Sequence, residues 1–371
     1  MHIDFANLNL QYKKYKNDID SRVQKVLNKS KYILGEEVYE LEKNLEKFTG
    51  SKYAITCSSG TDALLLAMMA MEIQPGDEII TTPFTWISTA ETISLLKAKP
   101  VFVDIESDTF NIDVKLIEPA ITKNTKIIMP VNLFGQPSDI DAIQAIADKH
   151  NLKVIIDGAQ SFGSTYGNKK DSNLGDISIT SFYPTKPLGC YGDGGAVFTN
   201  NDDYADRIKM LRVHGQDKRN YHKYIGIGGR LDTIQAAVLL AKILYLPQEI
   251  LNRKKIAQRY SDSLKNTLIT PTIKPNRSSV WAQYTVRVNN RDALQSILKD
   301  NGIPTAIFYP LPLHIQECFK YLNYKKNDFF NSEKAAVEVM SLPMNPFMTN
   351  EQVDYIVSKI KENIDLKFIT A

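Results

Sequence analysis

The chain has 371 residues, 43% hydrophobic and 23% charged, an ordinary globular composition that fills a large core and suggests two domains. Its net charge of +3 is too small to make nucleic acid or an anionic membrane the main partner. Three cysteines, Cys57, Cys190 and Cys318, lie far apart with no CxxC, which argues against a disulfide framework or a metal site and fits a reducing cytoplasm. The opening Met-His-Ile-Asp-Phe has no basic segment leading into an apolar one, and no apolar run approaches bilayer length, so neither a signal peptide nor a membrane anchor is expected.

Residues 1–50 read as an initial strand or arm followed by helices. Ile19, Val23, Val26 and Leu27 recur at helical spacing over Asp18 to Lys29, Tyr32-Ile-Leu-Gly35 breaks the pattern, and Val38, Leu41 and Leu45 resume it from Glu36 to Phe48. From Lys52 the pattern changes to short apolar runs between helical stretches. Strands are predicted at 53–57, 78–81, 100–104, 127–131, 154–157, 177–182 and 195–199, with helices at 63–71, 86–96 and 140–151. Continuous apolar strands separated by helices predict a mostly parallel, seven-stranded α/β sheet with helices on both faces. Leu231 to about Leu264 reads as one long helical stretch interrupted by Pro247. A strand at 282–288 and a charged helix at 350–364 then suggest a smaller C-terminal α+β domain. The boundary is placed at 245/246.

Ligands in such sheets bind at the carboxyl ends of strands, and the notable polar or aromatic groups fall there. Lys186 lies between Pro184 and Pro187 and ahead of Gly192, Gly194 and Gly195. The prolines stiffen the loop, and the glycines let backbone approach a ligand closely. A lysine held in this way suits a Schiff base with a carbonyl compound, although a solvated loop lysine fits the same local sequence. Ser58-Ser-Gly-Thr-Asp62 joins a strand to a helix and offers either a phosphate cradle or plain capping by Ser59 or Thr61. Asp157 ends an apolar strand, 29 residues before Lys186, with Gln160 three residues on. A carboxylate there can pair with a pyridinium nitrogen or cap the next helix. Trp86 follows a strand in a loop opened by proline and can stack on a flat cofactor or simply pack. Arg230, after Gly226-Ile-Gly-Gly229, can reach a carboxylate or phosphate, or form a surface ion pair. His214 and His222, eight apart, do not by themselves make a metal site.

In this order and spacing, Ser59-Gly-Thr-Asp-Ala-Leu64, Asp157-Gly-Ala-Gln-Ser-Phe-Gly163, Ser181-Phe-Tyr-Pro-Thr-Lys-Pro-Leu-Gly189, Gly192-Asp-Gly-Gly195 and Arg230-Leu-Asp-Thr-Ile-Gln-Ala-Ala237 resemble the DegT/DnrJ sugar aminotransferases. These are fold type I enzymes of pyridoxal 5′-phosphate. The likeness extends from Tyr32-Ile-Leu-Gly35 to Met340-Ser-Leu-Pro343. It is strongest to the WbpE-type enzymes, which act on UDP-2-acetamido-2-deoxy-3-oxo-glucuronate in making surface polysaccharide.

The resemblance implies that Lys186 binds the cofactor covalently and then shuttles the proton. It also implies that Asp157 pairs with the ring nitrogen, that Gln160 lies near the phenolic oxygen and that Trp86 stacks on the ring. Gly60, Thr61 and Ser181 would hold the phosphate. Arg230, Tyr309 and His314 would meet substrate, with L-glutamate as donor and a nucleotide-linked keto sugar as acceptor. A homodimer with its site at the interface is implied, the loop before Arg230 serving the neighbour. The chain departs from the pattern at Gly228 and Gly229, where most relatives carry Asn and then a small polar or aromatic residue. It departs again at Phe308, where close relatives have His. The residues leave open a dTDP-3-oxo-6-deoxyhexose, UDP-3-oxo-N-acetylglucosamine or a 4-keto sugar as acceptor. A non-catalytic module on the same fold is a further reading. Dehydratases of this kind carry His in place of the lysine, which Lys186 opposes.

Overall fold

The computed structural model describes residues 2–364. Helix α1 (Leu8–Lys29) begins where the Asn7 side chain accepts the Leu10 N–H at 3.2 Å, and it buries Gln11, Ile19 and Val26. It starts ten residues before the predicted Asp18, because its first turns turn a polar residue inward. The Gln11 amide donates to both carboxylate oxygens of Glu249, at 2.9 and 3.1 Å, and a polar contact leaves no hydrophobic period to read. Ahead of α1 the chain forms an arm rather than a strand: Ile3 is buried, and the Asp4 carbonyl accepts from Asn345 at 3.0 Å.

Helix α2 (Glu36–Thr49) matches its prediction closely and buries Val38, Leu41 and Leu45. Burying each such side chain contributes roughly 1.5–3 kcal/mol. Then follow β1 (Tyr53–Cys57), α3 (Gly60–Ala70), β2 (Glu78–Thr81), α4 (Ser88–Leu95), β3 (Lys99–Phe102), β4 (Thr125–Ile128), α5 (Ile140–Lys149) and β5 (Lys153–Asp157). A hairpin of β6 (Thr165–Tyr166) and β7 (Lys169–Lys170) leads to β8 (Ile177–Ser181), β9 (Gly195–Thr199) and α6 (Asp202–Leu211). A second hairpin, β10 (Gln216–Lys218) and β11 (Tyr221–His222), precedes α7 (Thr233–Lys242) and α8 (Leu246–Leu264).

The seven-stranded sheet has the order β1-β9-β8-β5-β4-β2-β3, with β9 antiparallel to both neighbours and every other pairing parallel. Side chains alternate between its faces. Ile79, Ile127 and Ile155 pack with Leu64, Leu66 and Ile208 of α3 and α6, while Ile80, Ile128 and Ile156 pack with Ile143 and Ala147 of α5. The ends of β1, β2, β5 and β8 open together, which places Ser58–Thr61, the Pro83–Trp86 loop, Asp157 and Ser181–Lys186 around one crevice.

The single predicted helix of 231–264 is two helices, bent by 61° at the break between Lys242 and Leu246. Pro247 sits in the first turn of the second helix, where its missing N–H costs nothing. Beyond it, β12 (Tyr284–Arg287) pairs antiparallel with β13 (Val339–Leu342). Helices α9 (Arg291–Asp300), α10 (Phe330–Glu338) and α11 (Asn350–Glu362) complete this part. Its core joins Tyr260, Tyr284, Leu294, Met340 and Ile356 to Ile3 of the arm. Helices α6, α9 and α10 and strand β13 were not anticipated. Among the described residues no single helix is long and apolar enough to cross a membrane.

Edge strand β1, which carries the Ser58 turn, is held from below by a buried ion pair. Arg212 Nη1 donates to Glu42 Oε1 at 2.5 Å and to the Thr56 carbonyl at 2.8 Å, and the Thr56 N–H donates to Glu42 at 2.9 Å. Removing one partner strands a buried charge. Glu42→Ala is therefore expected to lower unfolding stability by about 3–5 kcal/mol in urea titration.

Candidate active site

Lys186 projects from a loop that is closed on itself. The Phe182 N–H donates to the Gly194 carbonyl and the Cys190 N–H to the Phe182 carbonyl, both at 2.7 Å, and the Lys186 N–H donates to Tyr183 at 2.8 Å. A Cβ on Gly189 would lie 2.4 Å from the Pro184 carbonyl oxygen, so only glycine lets the loop fold this tightly. The buried Lys242 of α7 donates its Nζ to the Gly189 carbonyl and pins the loop from behind. Lys242 was missed by the sequence reading, although a lone lysine ending the apolar run Ala236–Ala241 was a visible clue.

Asp157 faces the same crevice from the end of β5, with 4% of its surface exposed. Its Oδ2 accepts from Thr89 Oγ1 at 2.7 Å and its Oδ1 from the Ala159 N–H at 3.2 Å. Burial pushes the Asp157 carboxyl above its ordinary range, against those two hydrogen bonds and the Lys186 charge. Burial lowers the Lys186 amine to about 8, and the Asp157 charge acts in the opposite direction. Thr89 was not anticipated; it lies three residues beyond Trp86 on α4 and points into the same crevice.

Gln160 is held at both ends of its amide, with Oε1 accepting the Phe134 N–H at 2.9 Å and Nε2 donating to the Tyr309 hydroxyl at 3.1 Å. Tyr309 is thereby brought to the crevice, its hydroxyl pushed well above the usual phenol range by burial. Its ring lies 6.2 Å from that of Trp86, which is 60% exposed and has a face free for stacking.

At the start of α3, Ser59 Oγ accepts the Asp62 N–H at 3.0 Å and caps the helix. The N–H groups of Gly60 and Thr61 have no acceptor among the described residues. A Cβ on Gly60 would stand 2.7 Å from Ser181 Cβ, so the glycine is what lets the helix start approach the end of β8. Free N–H groups, the helix dipole and the Thr61 and Ser181 hydroxyls make this corner an anion cradle. The cradle, a free aromatic face, a buried carboxylate and a lysine of lowered pKa together fit a flat, phosphorylated, carbonyl-bearing heteroaromatic cofactor.

Arg230 lies beside this corner. The preceding Gly229 accepts the Ser58 N–H through its carbonyl at 3.1 Å, and Arg230 Nη1 meets His214 Nε2 at 3.1 Å. At Gly228, where the chain departs from the pattern, a Cβ would lie 3.1 Å from His214 Cε1, so a larger side chain needs that ring to give by about a few tenths of an ångström. His314 is not brought to the crevice surface. It is buried, Nε2 pairs with Glu333 at 3.1 Å, and Phe329 packs edge-on at 4.7 Å. A ring enclosed in this way has no face to present to a substrate in this chain.

Residues 13–361 match the DegT/DnrJ/EryC1/StrS aminotransferase family. The chain is 49% identical over 359 residues to the UDP-2-acetamido-2-deoxy-3-oxo-D-glucuronate aminotransferase of Pseudomonas aeruginosa, covering 96% of this chain and 99% of that one. A DegT/DnrJ/EryC1/StrS aminotransferase structure from Brucella abortus superposes with a TM-score of 0.94 at 39% identity, covering 97% of this chain and 99% of that one. The Bacillus subtilis protein NtdA, solved with bound cofactor PMP, superposes with a TM-score of 0.91 at 30% identity, covering 97% and 85%.

The Lys186–Asp157 pairing sets a pH dependence. The amine is nucleophilic only when neutral, so its condensation with an aromatic aldehyde should rise about tenfold per pH unit and level off near 8. Asp157→Asn removes the charge that helps hold the proton and should move that shoulder to lower pH. Stopped-flow absorbance across a pH series reads both curves, and an unmoved shoulder in Asp157→Asn would show that the two groups do not interact.

Proposed function

This chain belongs to the DegT/DnrJ/EryC1/StrS aminotransferase family and is an enzyme of pyridoxal 5′-phosphate, and from that premise we propose that it moves the amino group of L-glutamate onto C3 of a nucleotide-linked 3-keto sugar. The acceptor we favour is UDP-2-acetamido-2-deoxy-3-oxo-glucuronate, the substrate named for the relative that is 49% identical. The observation that carries the reading is the lysine of lowered pKa facing a buried carboxylate at the strand ends, beside an anion cradle.

The residues at the strand ends are of the kinds the cofactor requires. The Gly60 and Thr61 N–H groups and the Ser181 hydroxyl would hold the phosphate, and Trp86 would lie against the ring. Asp157 would take the ring nitrogen, Gln160 would lie near the phenolic oxygen, and Lys186 would be the point of covalent attachment. Bound there, the cofactor supplies an electron sink for the bond being broken at the substrate carbon. Asp157, oriented by Thr89, would keep a proton on the ring nitrogen. Lys186 Nζ would carry the proton to and from the substrate carbon. Its lowered pKa leaves a useful neutral fraction near physiological pH. Arg230 and Tyr309 would meet the substrate.

We further infer a cytoplasmic homodimer serving cell-surface polysaccharide synthesis, such as lipopolysaccharide O-antigen. The exposed apolar side chains of Tyr221 and Ile225, on and just after the hairpin before Arg230, support a second copy packing there.

Lys186→Ala should fold, as judged by circular dichroism, and lose turnover by at least about a hundredfold to ten-thousandfold, the usual contribution of a positioned proton carrier. 2-Oxoglutarate release from L-glutamate, assayed with UDP- and dTDP-linked 3-keto sugars, identifies the acceptor. Wild-type rates in Lys186→Ala would sink the mechanism, and preference for a dTDP sugar would sink the acceptor assignment.

A further inference from the structure

On one side of Lys186 the arm, α8 and the C-terminal part enclose a cavity of about 170 Å³. Its polar lining, besides the lysine and backbone, includes Gln11, Arg253 and Gln283, and Phe308 forms part of its apolar wall. Arg253 is only 7% exposed. Its Nη1 donates to the carbonyls of Trp281 and Met344, each at 3.2 Å. Among the described residues its buried Nε has no partner and Nη2 makes no hydrogen bond. The Nε–Nη2 edge, the side on which a guanidinium binds a carboxylate with two parallel bonds, is therefore left without a partner in the wall of this cavity. Burial lowers the guanidinium to about 10, still a cation at neutral pH.

The surrounding charge does not balance. Among the described residues Glu249 is the one acidic side chain acting on Arg253, and it acts on the buried cation Lys242 as well. Glu249 is already engaged by the Gln11 amide. Two buried cations share one anion, and an uncompensated buried charge is costly. Gln11, also 7% exposed, and Gln283 each leave their Oε1 without a partner, so the cavity offers acceptors as well as a cation. A ligand carrying both a carboxylate and hydroxyl or amide N–H donors satisfies all three. A carboxylated sugar is such a ligand; the side chain of L-glutamate has the carboxylate and no donor.

We propose that this cavity is the subsite for a carboxylate borne by the acceptor sugar, with Arg253 as its bidentate partner and Gln11 and Gln283 receiving sugar donors. It rests on the aminotransferase reading and deepens it. Phe308 cannot pair with a carboxylate, and Arg253 lines the same cavity, so the arginine supplies the charge that position 308 does not.

The test uses cofactor-loaded enzyme and two probes that differ in the carboxylate alone, UDP-glucuronate and UDP-glucose. Calorimetry should show wild type binding UDP-glucuronate at least tenfold more tightly. Arg253→Gln should reduce that ratio to near unity. Gln283→Glu, which sets a like charge beside the ligand at a partly buried position, should do the same even if Arg253→Gln fails to fold. Equal binding of the two probes by wild type, or a ratio that survives Gln283→Glu and a folded Arg253→Gln, overturns the proposal. A loss confined to the L-glutamate half-reaction assigns the arginine to the donor and also overturns it. Preference for UDP-glucuronate without amination of any 3-keto sugar would instead sink the functional reading and leave the subsite standing.

Discussion

Lys186 and Asp157 are two groups that burial pushes towards neutrality while each favours the charge of the other. Desolvation lowers the amine and raises the acid, and their mutual attraction opposes both shifts. The balance leaves an amine lowered to about 8 beside a carboxyl held above its ordinary range. Such an arrangement requires both groups to be fixed, since a mobile lysine would find water. The loop hydrogen bonds within 182–194, the Lys242 contact from α7 and the Thr89 contact to Asp157 all serve that fixation.

The anion corner depends on close approach in the same way. Gly60 meets Ser181, and a Cβ on Gly195 would lie 2.4 Å from the Ser59 carbonyl oxygen. The turn after β1, the end of β8 and the start of β9 can therefore share one small volume. The buried Glu42–Arg212 pair holds β1 beneath that turn, and the Gly229 carbonyl ties Ser58 to the Arg230 segment. The turn after β1, the end of β8 and the Arg230 segment thus share one scaffold.

On the opposite side of the lysine the arm, α1 and α8 form a second polar layer. Its charges are buried, incompletely paired and adjacent to an open cavity. Stability alone would favour apolar residues there, so unspent donors and acceptors in this layer point to a ligand that completes them.

Much of this was legible in the order of the residues. Strand apolarity in Ile79–Ile80, Ile127–Ile128 and Val154–Ile156 dictates a parallel sheet buried on both faces, and every strand of that sheet was placed within a few residues. Lys186, Asp157 and Gly60–Thr61 could be picked out because prolines, glycines and strand ends constrain backbone locally. Contacts between distant segments could not be read in this way. Thr89 meets Asp157 from 68 positions away, Lys242 reaches Gly189 from 53, and Gln11 meets Glu249 from 238. Such pairings leave no period and no local motif. The same holds for the break between α7 and α8, for His214 filling the space beside Gly228, and for the enclosure of His314 against Glu333. Local sequence determined which segments become strands and which turns carry the chemistry, because backbone constraint and hydrophobic period act over a few residues. Tertiary packing decided which side chains lose water and which partners meet, because desolvation exists only once the chain has closed around them.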